Sequence, residues 1–304
     1  MLHHKLSVFV SIAPMLAVFA CTSQMGNSAV SSQGSESSSK PSATVAGAAV
    51  ATSQNLPADA EHAMERLNSS PRHGEWAMIR TSPTDSIRAW VVYPERKTKA
   101  PVVVVIHEIF GLSTWVRAVA DQLAADGFIA IAPDLLTMKP RSAGSDTLTQ
   151  QEASAAIRTL DAGWVQQQID AVAKYGMALP AAQQRYGIVG FCWGGGVSFA
   201  HVAHSPSLGA SVVYYGVSPP NDRLSAVKAP VLGLYGGNDA RVNATIPPAD
   251  SALRTMGKTY VHNAYDGAGH GFLRQQTGAN GANMTATQQA WPATIAWFKR
   301  YLEG

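Results

Sequence analysis

Cysteine is scarce in this chain, with only Cys21 and Cys192 among 304 residues. The two lie in such different sequence contexts that we do not expect them to pair. The chain contains no CxxC pair and no cluster of cysteine and histidine at zinc-binding spacing. His107-Glu108 would begin an HExxH motif, but position 111 is Gly. We therefore predict no metal site.

A large charge excess is also absent. Lysine and arginine number 23 against 20 aspartate and glutamate residues, and the net charge of +3 gives no electrostatic reason to predict nucleic acid as a partner. The glycine-rich turn around residue 190 lacks the GxGxxG spacing of dinucleotide sites, and no GKS or GKT follows it. We predict no cofactor. Hydrophobic residues make up 46% of the chain, enough for one large core, so we expect one folded domain. The sequence does not establish the oligomeric state, for which we favour a monomer.

The N-terminus has the pattern of an export signal. Residues 1–5 are basic, and residues 6–20 are mostly apolar but too few for a mature membrane-spanning helix, which takes about 20 residues. Cys21 follows a candidate cleavage site directly, as in a bacterial lipobox. We predict that residues 1–20 are a signal peptide and that Cys21 carries a lipid anchor to a membrane, with freely soluble export as the alternative. The protein is then periplasmic or lipid-anchored in the bacterial cell envelope.

The segment after the signal is poor in residues that build a core. Residues 22–60 contain no aromatic side chain and only three charged ones, Glu36, Lys40 and Asp59. Such a segment buries too little apolar surface to offset the entropy of an ordered chain. We predict a flexible tether over residues 21–61 and one folded domain over residues 62–304.

From about residue 75 the sequence alternates between predicted strands and helices. The apolar run PVVVVI is typical of a strand that is buried on both faces. The pattern predicts an α/β fold with a mainly parallel central sheet, helices on both faces and functional side chains at the carboxyl ends of the strands. We predict strands at 88–93, 101–106, 128–132, 186–191, 210–215, 231–235 and 260–264, and helices at 114–126, 149–175 (broken once), 193–204, 249–256 and 288–302.

A nucleophile motif lies at the junction of a predicted strand and helix. Gly190-Phe191-Cys192-Trp193-Gly194 matches the G-x-nucleophile-x-G elbow with Cys in place of Ser, and the chain contains no GxSxG. The tight turn requires small residues two positions before and after the nucleophile, and both are glycine here. The helix start makes the backbone N–H of Trp193 an oxyanion donor and favours the thiolate of Cys192. The alternative is a buried structural cysteine.

Two further polar residues follow later strands in the order that α/β-hydrolases require. Asp239 follows the predicted strand at 231–235, and His270 lies in a glycine-rich loop after the strand at 260–264. The order nucleophile, acid, histidine is that of the α/β-hydrolase fold. We predict that His270 moves protons for Cys192 and that Asp239 fixes the tautomer of His270. A turn-forming aspartate and a loop histidine are the structural alternatives.

Four segments of the domain resemble the dienelactone hydrolase family. They are His107-Glu108-Ile109-Phe110-Gly111, Gly190-Phe191-Cys192-Trp193-Gly194-Gly195, Gly237-Asn238-Asp239 and Gly269-His270-Gly271-Phe272. The resemblance extends over roughly residues 75–303. It implies an α/β-hydrolase fold and an enzyme that hydrolyses a small-molecule ester or lactone through a Cys-Asp-His triad and an acyl-cysteine intermediate.

The resemblance also implies roles that these residues alone do not suggest. Glu108 matches the family's glutamate that interacts with the cysteine and helps to convert it to thiolate when substrate binds. The backbone N–H of Ile109 is then the second oxyanion donor. Arg274 falls where the family has an arginine that binds a substrate carboxylate. No residue of segment 135–149 matches the family's second substrate arginine, so the identity of the substrate stays open.

Other functions remain open on the sequence. A general carboxylesterase or an acyltransferase would use the same acyl-cysteine intermediate, and the access of water to the pocket would distinguish them. A catalytically silent binding protein of the cell envelope would have an inert Cys192 or an incomplete triad, although no triad member is missing. A peroxide sensor would use the lone activated thiol.

Overall fold

The computed structural model describes residues 55–137 and 144–303. The predicted signal peptide at residues 1–20, the predicted lipid anchor at Cys21 and most of the predicted tether lie outside these residues. Within the two described ranges, no helix is both long enough and apolar enough to cross a membrane.

One mixed sheet organises the described part of the chain. Its strands are β1 (Gly74–Arg80), β2 (Ser86–Val92), β3 (Ala100–Ile106), β4 (Ile129–Pro133), β5 (Ala182–Phe191), β6 (Leu208–Tyr214), β7 (Val231–Gly236) and β8 (Tyr260–Tyr265). They lie side by side in the order β1-β2-β4-β3-β5-β6-β7-β8. β2 pairs antiparallel with β1 and β4, and the other neighbours are parallel. The sheet is therefore mainly parallel, as predicted.

Helices cover both faces of this sheet. They are α1 (Ala63–Ser69), α2 (Thr114–Ala125), α3 (Gln150–Ile157), α4 (Ala162–Ala178), α5 (Trp193–His204), α6 (Asn221–Leu224), α7 (Ala240–Asn243), α8 (Ile246–Thr255) and α9 (Ala282–Leu302). Successive side chains of β3 point to opposite faces. Val103 and Val105 join a core with α2 and α9, whereas Val102 and Val104 join one with α4 and α8. This arrangement confirms the predicted fold class.

Local side chains explain where several helices begin. The hydroxyl oxygen of Ser113 accepts the N–H of Val116, 3.4 Å away, and caps α2 as predicted. Asp161 accepts the N–H of Trp164 at 2.7 Å and starts α4, so the predicted helix over 149–175 is divided into two. α1 and β1 were not predicted. Trp76 on β1 is 41% exposed, so antiparallel pairing with β2, and not burial of both faces, determines the conformation of this strand.

Residues just before α1 pack against the domain. The carbonyl oxygens of Pro57 and Ala58 accept hydrogen bonds from side chains, and the N–H of Ala60 donates to a backbone carbonyl. The respective partners are Gln276 Nε2 at 2.8 Å, Trp115 Nε1 at 3.1 Å and the carbonyl oxygen of Arg274 at 3.0 Å. The packed part of the chain therefore starts before residue 62, where we predicted the end of the tether.

Candidate active site

The turn between β5 and α5 holds Cys192 in a strained backbone conformation, with φ 57° and ψ −114°. Its N–H donates to the carbonyl oxygen of Tyr214 on β6, 3.0 Å away. A Cβ atom on Gly190 would overlap the carbonyl oxygen of Gly194, and one on Gly194 would overlap that of Ile106. The chain therefore forms the predicted elbow only because both flanking positions are glycine.

Asp239 and His270 meet beyond the carboxyl ends of two neighbouring strands, β7 and β8. Nδ1–H of His270 donates to Oδ2 of Asp239 at 2.5 Å, and Oδ1 of the buried Asp239 accepts the N–H of Val242 at 3.4 Å. A neutral imidazole carries one N–H, so this bond leaves Nε2 of His270 unprotonated. That nitrogen can accept a proton from a thiol or from water.

The surroundings of the Cys192 sulfur favour the thiol over the thiolate. Burial, followed by the nearby carboxyl group of Glu108, raises the pKa of Cys192 above its ordinary value. The backbone N–H groups of Trp193 and Ile109 and the guanidinium of Arg241 oppose this shift without overcoming it. The N–H of Trp193 at the helix start lowers the pKa of Cys192 as predicted, but desolvation and Glu108 outweigh it, so the net shift is upward and not downward.

Both predicted oxyanion donors lie at the nucleophile. Trp193 is the first residue of α5, and Ile109 lies in the loop after β3, which is the parallel neighbour of β5. Their N–H groups converge on the sulfur of Cys192 from two different elements. Among the residues that the structure describes, no hydrogen bond joins Cys192 to His270. The sulfur is instead close to the carboxyl group of Glu108 and to the N–H groups of Trp193 and Ile109.

Glu108 is a buried carboxyl group, only 4% exposed, beside the nucleophile. Its Oε2 accepts no hydrogen bond from any described residue. Desolvation raises the pKa of Glu108 to about 7, and the positive charge of Arg274 opposes the rise. Nε of Arg274 lies 3.4 Å from Oε2 of Glu108. The structure thus brings Arg274 into the site, as an ion-pair partner of Glu108.

Tyr215 is a site residue that was not predicted from the sequence. It follows the last residue of β6 and has a left-handed backbone with φ 39°. Its ring centroid lies 5.1 Å from that of His270, and its buried hydroxyl has no hydrogen-bond partner among the described residues. The signal that could have identified it is its position just after a strand that neighbours the nucleophile strand.

Two other buried histidines, His107 and His201, are hydrogen-bonded through both ring nitrogens. Nε2 of His107 accepts the N–H of Leu135 at 3.3 Å, so its Nδ1 donates to the carbonyl oxygen of Glu108 at 2.8 Å. His201 is hydrogen-bonded through both ring nitrogens, to Tyr186 and Gln166. Over 55–137 and 144–303, no group of three or more His, Cys, Asp or Glu side chains is arranged to hold a metal ion.

Comparisons with known proteins point to one family. The family model described as "Dienelactone hydrolase family" matches residues 87–302. A "Putative carboxymethylenebutenolidase" of Methylorubrum extorquens is 34% identical over 229 residues, which cover 71% of this chain and 77% of that protein. A "Probable 2-oxo-3-(5-oxofuran-2-ylidene)propanoate lactonase" of Bradyrhizobium is 28% identical over 243 residues, which cover 76% of this chain and 95% of that protein.

A solved structure agrees with these sequence matches. The crystal structure of a "Putative Dienelactone Hydrolase" from Klebsiella pneumoniae superposes with a TM-score of 0.68 at 28% identity. The match covers 76% of this chain and 99% of the other. The similarity therefore extends over nearly the whole length of that neighbour.

Proposed function

This chain belongs to the dienelactone hydrolase family and is a hydrolase, and on that premise we propose that it cleaves a small-molecule ester or lactone through Cys192, His270 and Asp239. The observation that carries the proposal is the bond from His270 to Asp239, which lies at the same edge of the sheet as the Cys192 elbow. A nucleophile, a base with a free nitrogen and an acid that fixes its tautomer are the parts that acyl transfer requires.

In the proposed cycle, Glu108 takes the proton from Cys192. Arg274 supplies the positive charge that holds the pKa of Glu108 down against the effect of burial. When an anionic group of the substrate pairs with Arg274, Glu108 loses this charge and becomes a stronger base. The proton then moves from the sulfur to Glu108 and leaves the thiolate. Binding of an anionic substrate is thereby coupled to activation of the nucleophile.

The thiolate attacks the carbonyl carbon and forms a C–S bond, while the N–H groups of Ile109 and Trp193 hold the carbonyl oxygen as it gains negative charge. The C–O bond then breaks, and the acyl group stays on Cys192. Nε2 of His270 takes a proton from water, the hydroxide attacks the thioester carbon, and the C–S bond breaks. His270 passes its proton to the leaving oxygen, and Glu108 returns its proton to the sulfur.

Hydrolysis of a p-nitrophenyl ester and of a small enol-lactone, each carrying a carboxylate that can pair with Arg274, by the purified full chain tests this proposal. We expect turnover by wild type and at least about a thousandfold loss of kcat/KM in Cys192→Ala and His270→Ala, because nucleophile and base act as one unit. Cys21→Ser is the matched control, since it changes the other cysteine of the sequence, and it should keep wild-type activity. The preferred substrate would separate an esterase from a lactonase.

Two results would contradict the proposal. Unchanged turnover in Cys192→Ala would exclude chemistry at this thiol. Folded, fully reduced wild type that hydrolyses neither substrate, nor a wider panel of esters, would favour a catalytically silent binding protein of the same fold.

We also propose that the enzyme is exported and tethered to a membrane through Cys21. The support is the basic, apolar and lipobox-like order of residues 1–21. We expect radiolabelled palmitate to be incorporated into wild type but not into Cys21→Ser. Incorporation into both, or into neither, would contradict the anchor.

A further inference from the structure

We propose that a cavity between α1, α2 and the strands β1 and β2 is a second binding site, which takes a small aromatic carboxylate. This inference goes beyond the proposed function and does not depend on it, because none of the candidate catalytic residues lines the cavity. The class of ligand follows from the size of the cavity, from an arginine without a counter-ion and from an indole ring beside it.

The cavity has a volume of about 270 Å³. Pockets for drug-sized ligands measure about 300–1,000 Å³, so this one suits a smaller molecule with a single ring. Apolar and charged side chains line it together, among them Leu67, Trp90, Val92, Arg72, Arg117 and Asp121. A ligand that fits both kinds of side chain has an apolar body and a charged group.

The acidic side chain of this lining already has more positive partners than it needs. Nε of Arg66 donates to Oδ2 of Asp121 at 2.7 Å, and Nε and Nη2 of Arg72 donate to its two oxygens at 2.9 and 2.8 Å. The hydroxyl of Ser70 also donates to Asp121. Two guanidinium groups thus share one buried carboxylate, and the charge around the cavity is positive.

Arg117 adds a further positive charge to the cavity. The nearby carboxylates are paired with other arginines, Asp121 as described and Asp146 with Arg88. Nη2 of Arg117 donates to the neutral Oγ1 of Thr114 at 3.3 Å. Its Nε and Nη1 make no hydrogen bond to the described residues and are not closed off from solvent. Burial lowers the pKa of Arg117, against the attraction of Asp146. A bound anion would supply the counter-ion that this half-buried cation lacks.

The indole of Trp90 forms a fixed apolar surface beside Arg117. The guanidinium carbon of Arg117 lies 5.7 Å from the centroid of the Trp90 ring. That ring meets the ring of Trp76 edge-on at 5.2 Å, and it packs so closely on β1 that a Cβ atom at Gly74 would lie 2.5 Å from it. A ligand ring packed against Trp90 therefore places an attached carboxylate within reach of Arg117, whose planar guanidinium can bind both oxygens.

The experiment titrates sodium benzoate into the full chain labelled with 5-fluorotryptophan, at constant ionic strength, and follows the fluorine NMR resonance of Trp90. The absence of this resonance from Trp90→Phe assigns it. We expect a saturable shift with a Kd of about 1 mM, as for other ligands of this size. Benzamide has nearly the same shape but no charge, so it should bind about tenfold more weakly.

Arg117→Gln should weaken the binding of benzoate by about the same factor, because it removes the positive charge and keeps a polar side chain. Arg80→Gln is the matched control. Arg80 is an exposed arginine on β1 that does not line the cavity, and its Nη1 donates to the carbonyl oxygen of Pro83 at 2.9 Å. This variant should keep the Kd of wild type.

A Trp90 resonance that does not respond to benzoate would overturn the inference. Equal Kd values for benzoate and benzamide would overturn it too, and this comparison needs no substitution, so it holds even if Arg117→Gln does not fold. A response that is lost in Arg274→Gln but kept in Arg117→Gln would place benzoate at the candidate active site and would likewise overturn the second site.

Discussion

At the scale of single residues, the buried Glu108 destabilises the folded protein when it is ionised. Its pKa rises from 4.5 to about 7 because burial disfavours the carboxylate. The folded state therefore binds the proton of Glu108 more tightly than the unfolded chain does. The resulting stability is fully present below pH 4.5 and is lost as the pH rises through about 7. A carboxyl group held in this way suits a base that must accept a proton near neutral pH.

Glu108→Gln should stabilise the protein at alkaline pH while it impairs catalysis. The amide has nearly the shape of the carboxyl group and does not ionise. The shift of the Glu108 pKa from 4.5 to about 7 corresponds to about 3 kcal/mol. Glu108→Gln should therefore raise the free energy of unfolding by about 3 kcal/mol above pH 8 and leave it nearly unchanged below pH 4.5. Urea unfolding at both pH values measures it, with the exposed Glu65→Gln as control. If the free energies of unfolding of wild type and Glu108→Gln differ by the same amount at the two pH values, the raised pKa of Glu108 is contradicted.

At the scale of elements, a 3₁₀ turn over Ser145–Thr147 secures the loop after β3. The hydroxyl oxygen of Ser145 accepts the N–H of Leu112 at 2.9 Å, and the hydroxyl donates to Asp134. Asp134, fully buried at the end of β4, also accepts the N–H of Ser145 at 2.7 Å. The turn thus links the end of β4 to the loop that carries Glu108 and Ile109, whose N–H is the predicted oxyanion donor.

Ser145→Ala should weaken both stability and catalysis. It leaves the N–H of Leu112 buried without its acceptor, which costs about 1–3 kcal/mol of unfolding free energy. It also loosens the loop after β3, so kcat/KM should fall about tenfold through loss of positioning. Thr147→Ala is the control within the same turn, because its hydroxyl donates to the local carbonyl oxygen of Gly144 at 2.8 Å. Equal effects of the two substitutions would show that the link to the loop does not matter.

At the scale of the whole molecule, residues 57–60 connect two distant parts of the chain. They bond to Trp115 on α2 and to Arg274 and Gln276 in the loop after β8. That loop supplies the guanidinium that pairs with Glu108. The segment before α1 therefore helps to hold the loop on which the charge balance of the site depends.

Deleting residues 56–61 should destabilise the protein by about 3 kcal/mol, on the basis of about 1 kcal/mol for each of the three hydrogen bonds lost. The pKa of Glu108 should also change, because the loop that carries Arg274 is less firmly held. Thermal unfolding and the pH profile of activity check the two effects. Deletion of residues 45–50 removes the same length of chain from the predicted tether and should change neither. Identical behaviour of the two deletions would contradict a structural role for residues 57–60.

Much of the fold follows from patterns that are local in the sequence. The run PVVVVI forms β3, which is buried along its whole length, and the capping residue Ser113 starts α2 where predicted. β1 and α1 were missed because their conformations depend on pairing with β2 and on packing against α2, which lies far away in the sequence. The catalytic roles of Cys192, Asp239 and His270 stay predictions.

The sequence by itself determined the family, the α/β architecture and the chain order of the candidate triad, because residue spacing sets the elbow and the ends of the strands. Only the tertiary structure decided that Cys192 favours the thiol and that Arg274 pairs with Glu108. These properties depend on burial and on distances between charged groups. Residues that follow β3, β5 and β8 create them together, and no segment of the sequence contains them alone.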